Sequence, residues 1–468
     1  MNKNKKIIII TIISLIVLTG IYLLYNTYAL TTKTTNNGDY YTINLTDSNI
    51  VSLAANEEKT VIYQINNTNN GTVSYGVAYN NSNIEVKVYS DSKDKVTGTI
   101  GANDNKYIKL HLKNKTSSNT TVEITAVMGY ENGGDLIVPS DSTLVTKTYT
   151  NSFAGYITEL YDNSTKTPVT NNSITYQYDT TNNLMKDTAG NIRYYGASPN
   201  NYIYFNCDSY PSTNCELWRI IGVFDGKVKL IRNESIGEYS WDTSATGYGV
   251  NEWSQSDLMK LLNPSHESES VGGSLYYNNK SGTCYNNLNN ATTSCNFTST
   301  GIKNDTTRNM IAETTWNLGG WNSSDIFSNE MYEKERGTTT VSNPRDGITR
   351  ATTWTGKIAL PYPSDYGYAT DLSKCSQTLY NYDSNTDSYA CRSNDWMYSI
   401  FKTNSYNWLL TPLSGVAYGA FGVSSAGPVR SYSVYYAFGV APVLYLGSDQ
   451  DIVAGDGSQS KPYQLANS

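Results

Sequence analysis

WLLTPLSGVAYGAFGVSSAGPVRSYSVYYAFGVAPVLYL (residues 408–446) packs aromatics, glycines and β-branched residues into a chain otherwise rich in Asn, Ser and Thr. Its ends, Trp408–Leu410 and Val443–Leu446, are apolar enough to be buried strands. In its middle, strict alternation places Val429, Ser431, Ser433 and Tyr435 on one face and Arg430, Tyr432, Val434 and Tyr436 on the other. Gly419, Gly422, Gly427 and Gly439 mark turns or close backbone approach. A hairpin between two core strands is therefore expected. Tyr418, Arg430, Tyr432 and Tyr436 are the candidate ligand-binding residues, as an aromatic and cationic patch upon it.

The rest of the chain supports a β-rich reading. Charged residues make up 16% of 468, and 41 Tyr stand against 8 Phe, so Tyr, Asn, Ser and Thr cover the surface in place of ions. A net charge of -7 excludes a nucleic-acid partner, which needs a basic stripe to displace phosphate counterions. Lys3, Lys5 and Lys6 precede the apolar run of residues 7–25, a charged leader before a helix of membrane length. Residues 1–30 thus predict a signal peptide or a transmembrane anchor, with the remainder outside the cell. Small residues Thr27 and Ala29 allow cleavage, in which case the product is secreted.

Six cysteines in an exported chain point to disulfides. Fifteen pairings are formally possible. Local pairing, Cys207 with Cys215, Cys284 with Cys295 and Cys375 with Cys391, is the expectation. Loops of such size gain about 2.5 to 3 kcal/mol each from chain entropy.

Between residues 31 and 150, the stretches TVIYQIN, TVSYGVAY, IEVKVY, YIKLHL and VEITAVMGY alternate with period two and are separated by Asn- and Ser-rich turns. That spacing predicts an all-β sandwich of immunoglobulin-like type, without its signature Cys and Trp residues. Residues 151–190 read as a connector with a short helix around AGYITELYDN. Residues 191–468 read as an α+β domain. In it LWRIIGVFDGKVKLIRNESI predicts a hairpin turning at Asp225-Gly226, and WSQSDLMKLLNP a helix capped by Ser254 and stopped by Pro264.

The sequence offers little catalytic material. His111 and His266 are the only histidines, both at expected surface positions, which leaves no set for a zinc site or a Ser-His-Asp triad. GVSSAG breaks the nucleophile-elbow spacing, and SQSK at 458–461 lacks the motifs that would accompany it in a penicillin-recognising enzyme. Asp383, Asn385 and Asp387 stand at alternate positions, as in a calcium loop, but Ser388 and Asn394 replace its turn glycine and closing Glu. No cofactor is expected, with calcium the weak alternative. Glu330, Glu333 and Glu335 crowd one hydrophilic stretch and read as a solvated face.

The ordered motifs RYYGASPNNYIYFN, LWRIIGVFDGKVKLI, YSWDTS, WSQSDLMKLLN, TRNMIAETTWNLGG, WTGKIALPYPSDYGYA, NDWM, WLLTPLSG and GVAPVLYL span about residues 187–465. This succession resembles a group of exported proteins of Gram-positive-type bacteria whose C-terminal part looks like a C-type-lectin-like fold. Formylglycine-generating enzymes, lectins and retroelement-diversified receptor-binding proteins share that fold. The resemblance implies a chain closing with a Trp-led strand, a hairpin and a GxRP-like strand. Ala441 stands where the relatives carry Arg, so their buried Arg contact is not carried over. No cysteine follows Cys391, so neither is the oxidase site, and TPL and APV lack the carboxylate of a calcium-dependent sugar site. The expectation is an adhesin-like binding protein, surface-exposed or secreted, contacting a glycan or protein ligand. The alternatives are an extracellular carbohydrate-active enzyme and a passive envelope component.

Overall fold

The computed structural model describes residues 49–466 except for short segments at 68–72, 80–82, 91–92, 95–96, 102–103, 133–134, 138–143, 147–152, 244–247, 288–291, 343–345, 383–385 and 449. The leader at 1–30, with its membrane run at 7–25, lies outside the described residues. Among the described residues no helix is long and apolar enough to cross a membrane. The chain is mostly β-sheet with few, short helices. It divides into two compact units at Asn151, with Val453–Gly455 falling in the first.

The N-terminal unit holds two five-stranded antiparallel sheets. Each of the five alternating stretches becomes a strand: Glu58–Asn67, Val73–Tyr79, Ile84–Ser90, Asp104–Asn114 and Thr120–Asn132. Leu53, Ile84, Ile100 and Leu112 are buried. His111, next to buried Leu112, lies partly exposed 3.4 Å from Glu58, as alternation requires.

The second unit is built on a nine-stranded antiparallel sheet. At its centre the strands Glu216–Phe224 and Lys227–Arg232 form the predicted hairpin. Asp225 and Gly226 both take positive φ, the geometry a two-residue hairpin turn demands. Val443–Tyr445 adds to the far edge of this hairpin and is itself flanked by Ile358–Ala359. Residues 151–190 are not a connector. They form the helix Phe153–Asp162 and the strands Thr167–Asn171, Ile174–Asp179 and Leu184–Lys186, which extend the same sheet through Ile192–Tyr194. Tyr176, Tyr178, Leu184 and Met185 are buried there, and their burial outweighs the polar turn residues that made the segment look loose.

Gly222 shows how closely these strands approach. It sits beside the bulge in Glu216–Phe224 and faces Arg193; an added Cβ would lie 2.1 Å from the Ile192 carbonyl oxygen. Gly222→Ala is expected to cost roughly 1–3 kcal/mol through overpacking, read as a lowered urea midpoint. An unchanged midpoint would show that the neighbouring strand yields freely.

The helix in WSQSDLMKLLNP spans Asp257–Leu262 with Leu258, Leu261 and Leu262 buried. Its cap is Ser256, whose Oγ accepts from the Met259 N–H at 3.2 Å, and not Ser254. Ser254 belongs instead to a 3-10 turn, Trp253–Gln255, capped by Glu252. All three local disulfides are present: Cys207–Cys215, Cys284–Cys295 and Cys375–Cys391.

Candidate functional site

The block at 408–446 supplies most of a second, five-stranded sheet in the order Glu238–Ser240, Ala437–Gly439, Tyr406–Pro412, Gly419–Ser424, Val429–Ser433. Trp408, Leu409 and Leu410 are fully buried, and Trp408 donates its indole N–H to the Tyr239 carbonyl at 3.0 Å. Trp408 and Gly422 are register partners. Gly422 has no side chain to displace its neighbours: a Cβ there would meet the Asn407 carbonyl at 2.8 Å and the Tyr432 ring at 3.4 Å. The Tyr432 ring thus settles close to the strand.

The expected alternation holds only to Ser433, where the strand ends. Val434 is buried, its N–H donating to the Tyr418 carbonyl and its carbonyl accepting from Trp241 and Asp242. That pinned residue turns the chain, so Tyr435 and Tyr436 follow a bend and not the strand's two faces.

The result is a seam of rings. Tyr406 lies 4.8 Å from Tyr432, and Tyr432 5.0 Å from Phe438. Phe438 stacks on Tyr436 at 5.9 Å, and Tyr436 lies 4.3 Å from Tyr435. Tyr435 then reaches Tyr248 at 6.3 Å, and Tyr248 reaches Tyr418 at 5.2 Å. Phe438 is the buried footing, while Tyr248, Tyr406, Tyr418 and Tyr436 are 56, 36, 39 and 42% exposed. Contiguous exposed apolar surface of this kind marks contact sites more often than scattered single residues do.

Three of the four residues singled out from sequence, Tyr418, Tyr432 and Tyr436, fall in this seam. The guanidinium of Arg430 covers the ring of Tyr380, which is outside this run, at 3.5 Å and donates to the Tyr380 carbonyl. Tyr248 and Tyr406 were missed. Each lies outside the 408–446 block, and only the tertiary pairing brings them to it.

A second feature lies in the core of this unit. Asp365 accepts from Arg193 at 2.9 Å and from Lys229 at 2.5 Å, and Arg193 also donates to Asp187 at 2.6 Å; all four side chains are buried. Rings of Tyr362, Phe224, Trp316 and Tyr445 surround the Lys229 ammonium at 4.5 to 5.5 Å. Burial pushes Lys229 down to about 8, against the pull of Asp365. Burial alone would raise Asp365, but Lys229 and Arg193 hold its carboxyl below the usual range.

Glu335 departs from the solvated face read for Glu330, Glu333 and Glu335. It is fully buried, accepts from the Ser364 N–H and hydroxyl, and pairs with Arg336 at 3.0 Å. Burial raises it to about 7 despite Arg336. Its helix, Ser328–Glu335, packs against Pro363–Ala369, which turns Glu335 inward.

No group of His, Cys, Asp and Glu among the described residues is arranged to hold a metal ion. Asp383 and Asn385 of the calcium motif, and the side chain of Asp387, lie outside the described residues. Comparison with known proteins finds no matching family model, no matching curated protein and no matching solved structure.

Proposed function

We propose that this is a binding protein, displayed at the cell surface or secreted, that contacts a glycan or protein ligand through the aromatic seam of its C-terminal unit. The observation that carries this reading is the continuous run of partly exposed rings from Tyr406 to Tyr418. Tyrosine brings large contact area and a hydroxyl at small conformational cost, which suits recognition more than turnover. Three disulfides fit an oxidising compartment outside the cytosol. In this reading the first unit is an immunoglobulin-like spacer, the second a C-type-lectin-like head, and residues 7–25 tether the protein wherever the leader is retained.

The test is a glycan and protein array probed with the purified protein, followed by Tyr248→Ser, Tyr418→Ser and Tyr436→Ser combined. These rings are exposed, so the melting temperature should stay within a few degrees while saturable binding falls by about tenfold or more. Full binding by the triple variant would sink the assignment to this seam. Turnover of a polysaccharide without retained binding would favour an enzyme, and self-assembly with neither would favour a passive envelope component.

A further inference from the structure

Apart from the seam, the second unit has a pocket of about 300 Å³ above the buried charge cluster. That volume lies at the small end of ligand sites. It opens between the tip of the central hairpin, the strand Thr314–Asn317 and the last turn of the helix Ser328–Glu335.

Arg336 dominates its wall. The guanidinium lies flat on the Tyr332 ring at 3.4 Å, and its Nη1 is fixed by the Tyr332 carbonyl at 3.2 Å and Glu335 at 3.0 Å. Its Nε and Nη2 have no acceptor among the described residues. A guanidinium held over a ring, with the three N–H groups of Nε and Nη2 left over, is a preformed fork for an oxyanion. Lys227, across the pocket, has no carboxylate partner among the described residues. The exposed Asp225 at the hairpin tip is the one carboxylate in the lining.

The rest of the wall suits a hydroxylated body. The Thr314 hydroxyl and the Asn317 amide have no side-chain partner among the described residues, and the Phe224, Tyr362 and Tyr445 rings give flat apolar faces. Below them Arg193 keeps its Nη2 buried without an acceptor, its guanidinium 4.6 Å from the Phe224 ring. Arg193 and Lys229 balance Asp187 and Asp365 in charge, so the floor does not oppose an anion.

We propose that this pocket binds a single acidic sugar residue, its carboxylate on Arg336 and Lys227 and its hydroxyls on Thr314 and Asn317. The site is separate from the aromatic seam and does not depend on it.

Titration of the purified protein with galacturonate, followed by calorimetry or ligand-observed NMR, tests this against glucose and inorganic phosphate. Galacturonate should bind saturably and glucose should bind at least about tenfold more weakly, because the fork then lacks its anion. Arg336→Gln and Lys227→Gln should each weaken galacturonate about tenfold or more. Arg336→Gln removes the partner of buried Glu335 and can unfold the site; Lys227→Gln touches no described partner and keeps the test decisive. The triple Ser variant of the seam should bind galacturonate normally. Equal binding of glucose, binding of phosphate in place of galacturonate, or undiminished binding by Lys227→Gln would each overturn the proposal.

Discussion

Asp365→Asn is expected to destabilise the protein by about 3–5 kcal/mol, a fall of roughly 10 °C or more in melting temperature. The reason is the company Asp365 keeps. Lys229 is fully buried, and Asp365 is the one carboxylate within ion-pairing distance of it among the described residues. Without that partner the ammonium must either stay charged in an apolar cage or lose its proton. Deprotonating an ordinary lysine at pH 7 costs about 4–5 kcal/mol, which caps the penalty near the expected value. Lys229→Met alone leaves Asp365 paired with Arg193 at 2.9 Å and should cost less. The double variant Lys229→Met with Asp365→Asn should recover a large part of the Asp365→Asn loss, because no lone ammonium remains and Arg193 still holds Asp187 at 2.6 Å. Urea unfolding of all three variants reads this coupling. Strict additivity would show that the buried cluster is not held together by charge.

The second large effect is a dependence on pH. Asp395 is buried, accepting from the Thr370 hydroxyl at 2.9 Å and from the Met397 and Tyr398 N–H groups at 2.8 and 3.1 Å. It has no cation within ion-pairing distance among the described residues, and burial pushes it up to about 7 against those hydrogen bonds. In the unfolded chain the carboxyl returns to about 3.9, so between pH 4 and 7 the folded state holds the proton more tightly. Its contribution is complete below about pH 4 and is lost as pH rises to about 7, a total of roughly 4 kcal/mol. Melting temperature should therefore fall from pH 5 to pH 8, and Asp395→Asn should flatten much of that slope. Glu335, raised to about 7 as well, leaves a residual slope in the same window. Parallel slopes for the two proteins would show that Asp395 does not titrate there.

Local signals in the sequence located what local chemistry determines. Asp225-Gly226 announces its hairpin because two consecutive positive φ angles suit those residue types. The cysteine pairs follow from short loops, and the period-two stretches of the first unit become strands since each needs only one buried face. Residues 151–190 read as a connector because the strands Thr167–Asn171 and Ile174–Asp179 carry Thr167, Thr170, Thr175 and Gln177 on exposed positions, and the sheet they join lies later in the chain.

The sites were harder to see for the same reason. Lys229 reads as an ordinary polar residue in KVKLIR, and its partner is 136 residues away. Glu335 has charged neighbours on both sides, and only packing of its helix against Pro363–Ala369 turns it inward. Tyr418, Tyr432 and Tyr436 are legible as part of a ring-rich hairpin block, although only Tyr432 lies within a strand. Strand parity groups Arg430 with them, but parity cannot register that its guanidinium covers the Tyr380 ring, 50 residues earlier in the chain.

The central sheet has a consequence for synthesis. Val443–Tyr445, close to the C-terminal end of the sequence, sits between Lys227–Arg232 and Ile358–Ala359 as an interior member of the sheet. A growing chain displays the free edge of Lys227–Arg232 for the time it takes to make more than two hundred further residues. Unpaired strand edges invite association with other chains, and contacts between distant residues form slowly. The protein is therefore most exposed to mispairing between completion of its hairpin and arrival of its last interior strand, the interval in which a holding chaperone would matter most.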